Sequence, residues 1–261
     1  MKHFLCLGCL LGLITTWLGA QIAIYGDTRS QDDVHAQVVQ TIALHKPAIA
    51  FHTGDLTNRG DKQAHFDRFF ALSAPLTTLC RIYPAKGNHE RNAELFLKNF
   101  PWLGDSTFYT VEHDNLLFIV LDSTLDLNPS SRQYLWLEQT LAGETSLPKI
   151  VILHHPVFSS GTHGDELGLG LFLPELFSRH GVKAVFSGHE HSYERSLHNG
   201  VSYLVTGGGG APLCDRKHAN PYGLVFEKAH HFLIAERKGN QLLIRAWDIQ
   251  NHLVDSFLLD L

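Results

Sequence analysis

Cysteine is scarce in this chain of 261 residues, which has only four, and Cys6 and Cys9 lie within its first ten positions. The remaining pair, Cys80 and Cys214, allows at most one disulfide bond beyond that N-terminal segment. A framework of several disulfides is therefore excluded. The sequence alone does not decide whether Cys80 and Cys214 pair.

The chain also lacks an excess of positive charge, since 21 Lys and Arg residues stand against 26 Asp and Glu residues, a formal net charge of -5. This balance offers no basic surface for nucleic acid, and no basic amphipathic face indicates a membrane-surface role. Linkers rich in proline or serine, internal repeats and low-complexity tracts are missing as well. We therefore expect one sizeable domain whose partner is a small charged molecule. The sequence does not indicate an oligomeric state.

Long apolar runs are absent except at the N-terminus, where Lys2 and His3 precede an apolar stretch that reaches Trp17 and ends at the small residue Ala20. This pattern predicts a secretory signal peptide over residues 1–20 and a single domain over residues 21–261. An uncleaved membrane anchor is the alternative, but the stretch is short for a full span and Gln21 leads directly into the first predicted strand. We expect a periplasmic or secreted protein without stable membrane association after cleavage.

The hydrophobic pattern changes along the rest of the chain. The first third alternates strand, helix, strand, helix and strand, which predicts a parallel sheet with right-handed crossovers. A hairpin follows, and the last third is mostly strand. We predict an α/β fold, a four-layer α/β/β/α sandwich of two mixed sheets packed face to face with flanking helices. The predicted strands are 22–25, 48–52, 81–84, 107–112, 116–121, 149–153, 182–186, 201–206, 232–236, 242–247 and 254–259, and the predicted helices are 34–45, 62–72 and 130–141.

Five polar clusters each follow one of these predicted strands. In α/β sheets ligands bind outside the carboxyl ends of the strands, so five such strands would bring the clusters to one crevice. The clusters are Gly26-Asp27, Gly54-Asp55, Gly87-Asn88-His89-Glu90, His154-His155-Pro156 and Gly188-His189-Glu190-His191.

These clusters contain carboxylate, imidazole and amide oxygen but no thiolate, which is the ligand set of metals such as Fe, Mn and Zn. A carboxylate shared by two ions would hold them about 3.5–4 Å apart, which suits the in-line displacement of a phosphate ester. Asp55 is the best candidate for that bridge. The sequence therefore predicts a site for a small phosphorylated substrate.

The five motifs resemble those of the calcineurin-like metallophosphoesterase superfamily, and the stretch from Gly188 to Arg195 is most similar to its purple acid phosphatase branch. The resemblance implies two divalent or trivalent metal ions, Fe, Mn or Zn. It further implies ligand and substrate roles for particular residues. Asp27, Asp55 and His191 would hold one ion, Asp55, Asn88, His154 and His189 would hold the other, His89 would steady the transition state or protonate the leaving oxygen, and His163 would contact substrate.

Two positions depart from the family pattern. Arg29 stands where most of the superfamily has a histidine, and Asn58 stands where the purple branch has a tyrosine. We therefore expect a weaker first metal site and no tyrosinate-to-iron colour. The Arg29 guanidinium either binds the substrate phosphate bidentately or simply pairs with Asp27 or another carboxylate that only supports the ligands, and we favour the phosphate role.

Neighbouring polar residues have less direct roles in this interpretation. Because successive side chains of a strand point to opposite faces, only one of His154 and His155 should reach a metal, and His154 is preferred because it lies two residues before Pro156 as in the family. His52, Glu90 and Glu190 should orient ligands. The segment 159–164 should form a mobile rim over the crevice.

The leading functional hypothesis is a secreted dinuclear-metal phosphoesterase that hydrolyses phosphate monoesters with hydroxide as the nucleophile. Arg29 and His163 favour monoesters, which carry one more ionisable oxygen than diesters. Two alternatives stay open at this point. One is a phosphodiesterase, and the other is a non-catalytic protein that binds phosphate or a nucleotide through a metal.

Overall fold

The computed structural model of the protein describes residues 20–143, 145–165 and 168–261. Apart from Ala20, the signal peptide predicted for residues 1–20 lies outside the described residues, and its cleavage stays a prediction. Across the described ranges, no helix has the length and apolar character needed to span a membrane. Neither Cys80 nor Cys214 forms a disulfide bond.

The described residues contain thirteen strands and five α-helices. The strands are β1 (Gln21–Tyr25), β2 (Ile49–His52), β3 (Ile82–Pro84), β4 (Tyr109–His113), β5 (Leu116–Val120), β6 (Lys149–Ile152), β7 (Val182–Ser187), β8 (Tyr193–His198), β9 (Val201–Thr206), β10 (Gly223–Glu227), β11 (His231–Lys238), β12 (Gln241–Asp248) and β13 (Leu253–Asp260). The helices are α1 (Asp32–Leu44), α2 (Gln63–Thr77), α3 (Ala93–Asn99), α4 (Arg132–Ala142) and α5 (Leu173–Arg179).

These strands form two mixed sheets. One has six strands in the order β13-β12-β11-β1-β2-β3, and the other has seven in the order β10-β8-β9-β7-β6-β5-β4. In the first sheet β1, β2 and β3 run parallel, and in the second β5, β6, β7 and β9 do so. The remaining pairings are antiparallel.

The two sheets pack face to face through a largely apolar core. Phe51 of β2 and Phe118 of β5 come from opposite sheets, and their rings stack with centroids 4.3 Å apart. Ile24, Ile152 and Phe186 belong to the same buried cluster. The helices cover the opposite faces of the sheets, so the central strands are buried on both sides, which accounts for the continuous apolar runs in the sequence.

The outer face of each sheet is covered by helices. Val38 and Phe66, from α1 and α2, pack with the six-stranded sheet, whereas Leu137 and Phe177, from α4 and α5, pack with the seven-stranded sheet. The arrangement has four layers in the order helix, sheet, sheet, helix. The predicted α/β/β/α sandwich is confirmed.

Some elements were not predicted. The helices α3 and α5 have seven residues each, too few for a clear apolar period. In β8 the buried positions include Glu194 and Ser196, which bind Asn220, and their polar character conceals the alternation. The helix α2 extends to Thr77 past Pro75, although proline usually ends or kinks a helix.

The fold places the five polar clusters together because β1, β2 and β3 of one sheet and β6 and β7 of the other end at the same edge. Backbone hydrogen bonds connect the loops at this edge. The N–H of Asp27 donates to the Gly54 carbonyl at 3.0 Å, and that of Gly188 donates to the His154 carbonyl at 2.9 Å.

Candidate metal centre

The loops after the strands have an unusual backbone. Asp27, Asp55 and His189 have positive φ angles of 57°, 55° and 68°, a conformation that is uncommon for residues with a side chain. Each comes directly after a glycine, in the loop that follows its strand. Strain of this kind persists where surrounding contacts impose it, and it is often found at functional sites.

Two glycines are required by the close approach of these carboxylates. A Cβ atom on Gly87 would lie 2.3 Å from the Asp55 Oδ1, and one on Gly188 would lie 2.3 Å from the Asp27 Oδ2. No Cβ atom tolerates such a distance. The glycines in the motifs therefore let the chain pack directly against the ligand atoms.

One group of donor atoms, which we call the Asn88 cluster, consists of Asp55, Asn88, His154 and His189. The His154 Nε2 lies 2.9 Å from the Asn88 Oδ1, 3.4 Å from the Asp55 Oδ1 and 3.3 Å from the His189 Nδ1. Four ligands about 2.1 Å from a tetrahedral metal would lie roughly 3.4 Å from one another. The spacing thus suits a metal ion.

The protonation of His154 supports the same conclusion. Its Nδ1–H donates to the Thr53 carbonyl at 2.9 Å, because a carbonyl can only accept. Burial lowers the pKa of His154, so the ring is neutral near pH 7 and its Nε2 presents a lone pair. This lone pair and the oxygens of Asp55 and Asn88 converge with no hydrogen between them, an arrangement that a cation stabilises.

The second group, which we call the Asp27 cluster, consists of Asp27, Asp55 and His191. The His191 Nδ1–H donates to the Pro212 carbonyl at 2.8 Å, which leaves its Nε2 as an acceptor 3.6 Å from the Asp27 Oδ1. Burial lowers the pKa of His191 to about 4. The ligand atoms of Asp27, Asp55 and His154 lie within 4.8 Å of one another, so the two clusters are contiguous.

Arg29 lies within the Asp27 cluster. Its Nε–H donates to the Asp55 Oδ2 at 3.1 Å and its Nη2–H donates to the His191 Nε2 at 3.3 Å. Arg29 thus pairs with a carboxylate, but its partner is Asp55, the predicted bridge, whereas the sequence interpretation named Asp27 or a supporting carboxylate. Phosphate binding by Arg29 stays a prediction. Asn58 accepts a hydrogen bond from the Ser30 hydroxyl at 2.9 Å.

The two carboxylates differ in acidity. Burial opposes ionisation of Asp55, but the nearby His154, His89 and Arg29 outweigh it and lower its pKa to about 2. Burial and then the negative charge of Asp55 raise the pKa of Asp27 well above its usual range. Asp55 is therefore the stronger anionic ligand of the pair.

His89 and His163 lie on the open side of the clusters. The His89 Nδ1–H donates to the Asn58 carbonyl at 3.0 Å, which directs its Nε2 towards the Asp55 Oδ2 at 3.9 Å. The His163 ring lies 4.6 Å from that of His189, measured between centroids, and its side chain is 42% exposed. Both positions suit contact with a bound substrate.

His155 lies beside the Asn88 cluster. Its ring centroid is 4.5 Å from that of His189, and the ligand atoms of His154, His155 and His189 lie within 4.8 Å of one another. Strand alternation, on which the preference for one histidine of the pair rested, does not apply here because β6 ends at Ile152, before the pair. The choice of His154 as the metal ligand stays a prediction. The two adjacent histidines were the feature of the sequence that pointed to His155 as well as His154.

Two buried glutamates hold the loops in place, as predicted for Glu90 and Glu190. Glu90 accepts hydrogen bonds from the backbone N–H of Asp55 at 2.9 Å, Gly87 at 2.9 Å and Thr57 at 3.1 Å. Burial, together with the charge of Asp55, raises the pKa of Glu90 to about 8. This carboxyl joins the loops after β2 and β3.

His52 also supports the loops that carry the site. Its Nδ1 accepts a hydrogen bond from the backbone N–H of Gly54 at 3.2 Å, so its Nε2–H donates to the Thr28 hydroxyl at 3.1 Å. The Thr28 hydroxyl in turn donates to the Leu56 carbonyl at 3.2 Å. His52 therefore links the loops after β1 and β2 and does not face the clusters.

Residues 20–193 match the family model for the calcineurin-like phosphoesterase. Purple acid phosphatase 18 from Arabidopsis thaliana is 29% identical over 206 residues, which is 67% of this chain and 47% of that protein. Probable inactive purple acid phosphatase 27 from the same plant is 25% identical over 230 residues, 68% of this chain and 37% of its own length. The chain thus spans less than half the length of these two relatives.

Solved structures show the same architecture. Purple acid phosphatase PPD1 from yellow lupin seeds superimposes with a TM-score of 0.79 at 19% identity, over 92% of this chain and 53% of the lupin chain. At that identity the similarity establishes the fold only. With the family match over residues 20–193, the chain belongs to the calcineurin-like phosphoesterase family, in its purple acid phosphatase-like branch.

Proposed function

We propose that this protein hydrolyses phosphate monoesters at a metal centre. The observation that carries the proposal is the Asn88 cluster, in which the His154 lone pair and the oxygens of Asp55 and Asn88 meet within 3.4 Å without a hydrogen between them. His89 stands beside this cluster on its open side. A metal bound there would act as a Lewis acid on the phosphoryl group and would activate water.

His89 is the residue that we propose handles the proton. Because the Asn58 carbonyl holds its Nδ1–H, its Nε2 is directed towards the site and, when protonated, can donate to the oxygen of the leaving group. The side chain is 25% exposed, which leaves room for an ester to approach. The geometry thus separates a proton donor from the metal ligands.

The charge of the substrate supports monoesters over diesters. A monoester carries one more ionisable oxygen, and two cationic or potentially cationic groups could meet it: Arg29 within the Asp27 cluster and the exposed His163 on the open side. The nitrogen and oxygen donors suit Fe, Mn or Zn. The sequence predicts two ions. The Asn88 cluster suits one of them, and the Asp27 cluster, which would hold the other, also contains Arg29.

We further propose that the protein is exported. The support is the sequence pattern of residues 1–20, with a basic start, an apolar middle and a small residue at the end. The mass of the protein recovered from outside the cytoplasm would test this, since cleavage after Ala20 removes those residues. Recovery of the full-length chain only would contradict the proposal.

A second candidate is a protein that binds phosphate or a nucleotide through a metal without turnover. Arg29 and Asn58, which depart from the family pattern, favour it, and one relative of this chain bears "inactive" in its name. His89 argues for catalysis, because a binding protein does not need a proton donor beside its metal ligands.

The test is to purify the protein without chelator, supply Mn, Fe or Zn, and compare hydrolysis of an aryl phosphate with that of the matched diester. We expect turnover of the monoester, a reduction of roughly 100-fold in His89→Ala with the metal retained, and no change in the control His252→Ala, which lies in the exposed turn before β13. Preference for the diester would favour a phosphodiesterase. Metal binding without turnover under any supplement would favour the binding protein.

A further inference from the structure

We infer that the Arg29 guanidinium replaces one of the two metal ions, so that the chain binds a single ion, in the Asn88 cluster. This inference rests on the proposed metal centre. It departs from the two ions that the family resemblance implies, because the donor atoms of the Asp27 cluster do not fit a metal as those of the Asn88 cluster do.

The first reason is that acceptors of the Asp27 cluster already have donors. The Asp55 Oδ2 accepts from the Arg29 Nε–H and the His191 Nε2 accepts from the Arg29 Nη2–H, at 3.1 and 3.3 Å. These are two of the three atoms that an ion at this position would need, and the third is the Asp27 Oδ1. In the Asn88 cluster the Asp55 Oδ1 accepts from the His89 backbone N–H at 2.9 Å, but within the described residues no guanidinium donates to the Asn88 Oδ1 or the His154 Nε2.

The second reason is that the two departures from the family pattern are connected. The Ser30 hydroxyl accepts a hydrogen bond from the Arg29 Nη1–H at 3.4 Å and donates to the Asn58 Oδ1 at 2.9 Å. The amide oxygen of Asn58 is thereby engaged with Ser30 on the exposed surface. It therefore does not supply the ligand that the purple branch takes from tyrosine.

The third reason is charge. A guanidinium stays protonated at any physiological pH, so Arg29 supplies a permanent positive charge beside the Asp55 carboxylate. A second metal ion at contact distance from the same carboxylate oxygen would be repelled by it. Arg29 also has five N–H donors, and three are used, which leaves two for a phosphate oxygen.

Asp27 is the residue that distinguishes a metal ion in this cluster from Arg29 in its place. Among the described side chains, its buried Oδ1 has no hydrogen-bond partner and lies 3.6 Å from the His191 Nε2. An ion in the Asp27 cluster would bind this atom. If Arg29 takes the place of that ion, the carboxylate of Asp27 is dispensable for metal content.

The first experiment measures the metal bound per chain by elemental analysis after equilibrium dialysis against Mn²⁺ or Zn²⁺. We expect one ion in the wild type, one in Asp27→Asn and none in Asn88→Ala. Two ions in the wild type, with one lost in Asp27→Asn, would overturn the inference. A single ion that is lost in Asp27→Asn and kept in Asn88→Ala would overturn it as well.

The second experiment restores the family pattern with Arg29→His/Asn58→Tyr. We expect two ions per chain in this variant and one in the control Arg59→His, which removes a surface arginine that pairs with Asp61 in the same loop. A double variant with the circular dichroism spectrum of the wild type that still binds one ion would show that Arg29 does not exclude the second. If the double variant does not fold, the Asp27→Asn comparison decides the question.

Turnover is measured separately, so the two proposals fail in different ways. One ion without hydrolysis would keep Arg29 in its proposed role and reject the phosphatase function. Two ions with hydrolysis would support the phosphatase function and reject the proposed role of Arg29.

Discussion

Glu190 holds His163 by its backbone. The buried carboxylate accepts a hydrogen bond from the His163 N–H and lies 3.4 Å from its Nδ1. The same carboxylate accepts from the N–H groups of Thr162 at 2.8 Å and Gly164 at 2.9 Å. Because Glu190 stands between His189 and His191, the segment that would contact substrate is attached directly to the loop that would contact metal.

Removal of this carboxylate should release the segment. In Glu190→Ala three N–H groups lose their acceptor, and we expect a loss of about 2–4 kcal/mol in the free energy of unfolding. Amide hydrogen exchange of residues 160–164 should accelerate, and KM for an aryl phosphate should rise more than kcat falls. Glu175→Ala, at an 85% exposed position of α5, is the matched control. Unchanged exchange in Glu190→Ala would show that other contacts hold the segment.

The close approach of Gly87 to Asp55 predicts a loss of metal in Gly87→Ala. The added Cβ would lie 2.3 Å from both the Asp55 N and its Oδ1, so the carboxylate must move. We expect metal affinity to fall at least 10-fold, as for other changes that disturb ligand orientation. The control is Gly143→Ala, where the nearest atom is the Thr140 carbonyl oxygen at 3.3 Å. Calorimetric titration with Mn²⁺ measures both, and equal affinities would contradict the packing argument.

Metal should stabilise the folded chain. In the Asn88 cluster three acceptors face one another, and an ion binds the folded form in preference to the unfolded one. At an ion concentration 100 times Kd, the gain is about 2.7 kcal/mol. Thermal unfolding with Zn²⁺ and with chelator should therefore differ by several degrees, and Asn88→Ala should remove most of the difference. A shift of the same size in Asn88→Ala would place the stabilising ion elsewhere.

His35 predicts an acid-sensitive fold away from the metal centre. This side chain is 1% exposed and bonds the Ser73 hydroxyl at 3.2 Å, and burial lowers its pKa from 6.5 to about 4. The folded state thus disfavours the charged ring. The stabilisation is fully present above pH 6.5 and is lost as the pH falls from 6.5 towards 4.

Urea unfolding of metal-free protein at pH 7.5 and pH 5 tests this effect. Titration of His35 should cost the wild type about 2 kcal/mol over that interval. His35→Phe keeps an aromatic ring stacked on Phe69, and its free energy of unfolding should fall by about 2 kcal/mol less than that of the wild type between the two pH values. The exposed control His252→Phe should match the wild type. Equal pH dependence in wild type and His35→Phe would show that His35 does not titrate in this range.

Much of the fold followed from local patterns. The buried strand β5 is a continuous apolar run, and β9 was predicted with its observed bounds, 201–206. The strand β8 was missed because its buried Glu194 and Ser196 are satisfied by Asn220, a partner that periodicity cannot reveal. Polar residues in a core depend on tertiary hydrogen bonds, and the sequence pattern does not record them.

The sequence by itself determined the order of the five clusters and the chemistry of their donors, because each cluster directly follows a strand and strand ends meet at one edge of a sheet. Only the tertiary structure decided which acceptors face a donor and which face one another. Arg29 forms hydrogen bonds with Asp55, 26 positions away in the sequence, and with His191, 162 positions away. His155 reaches His189 because the strand ends before it. Contacts between loops set these relations, and they depend on distances that no local pattern encodes.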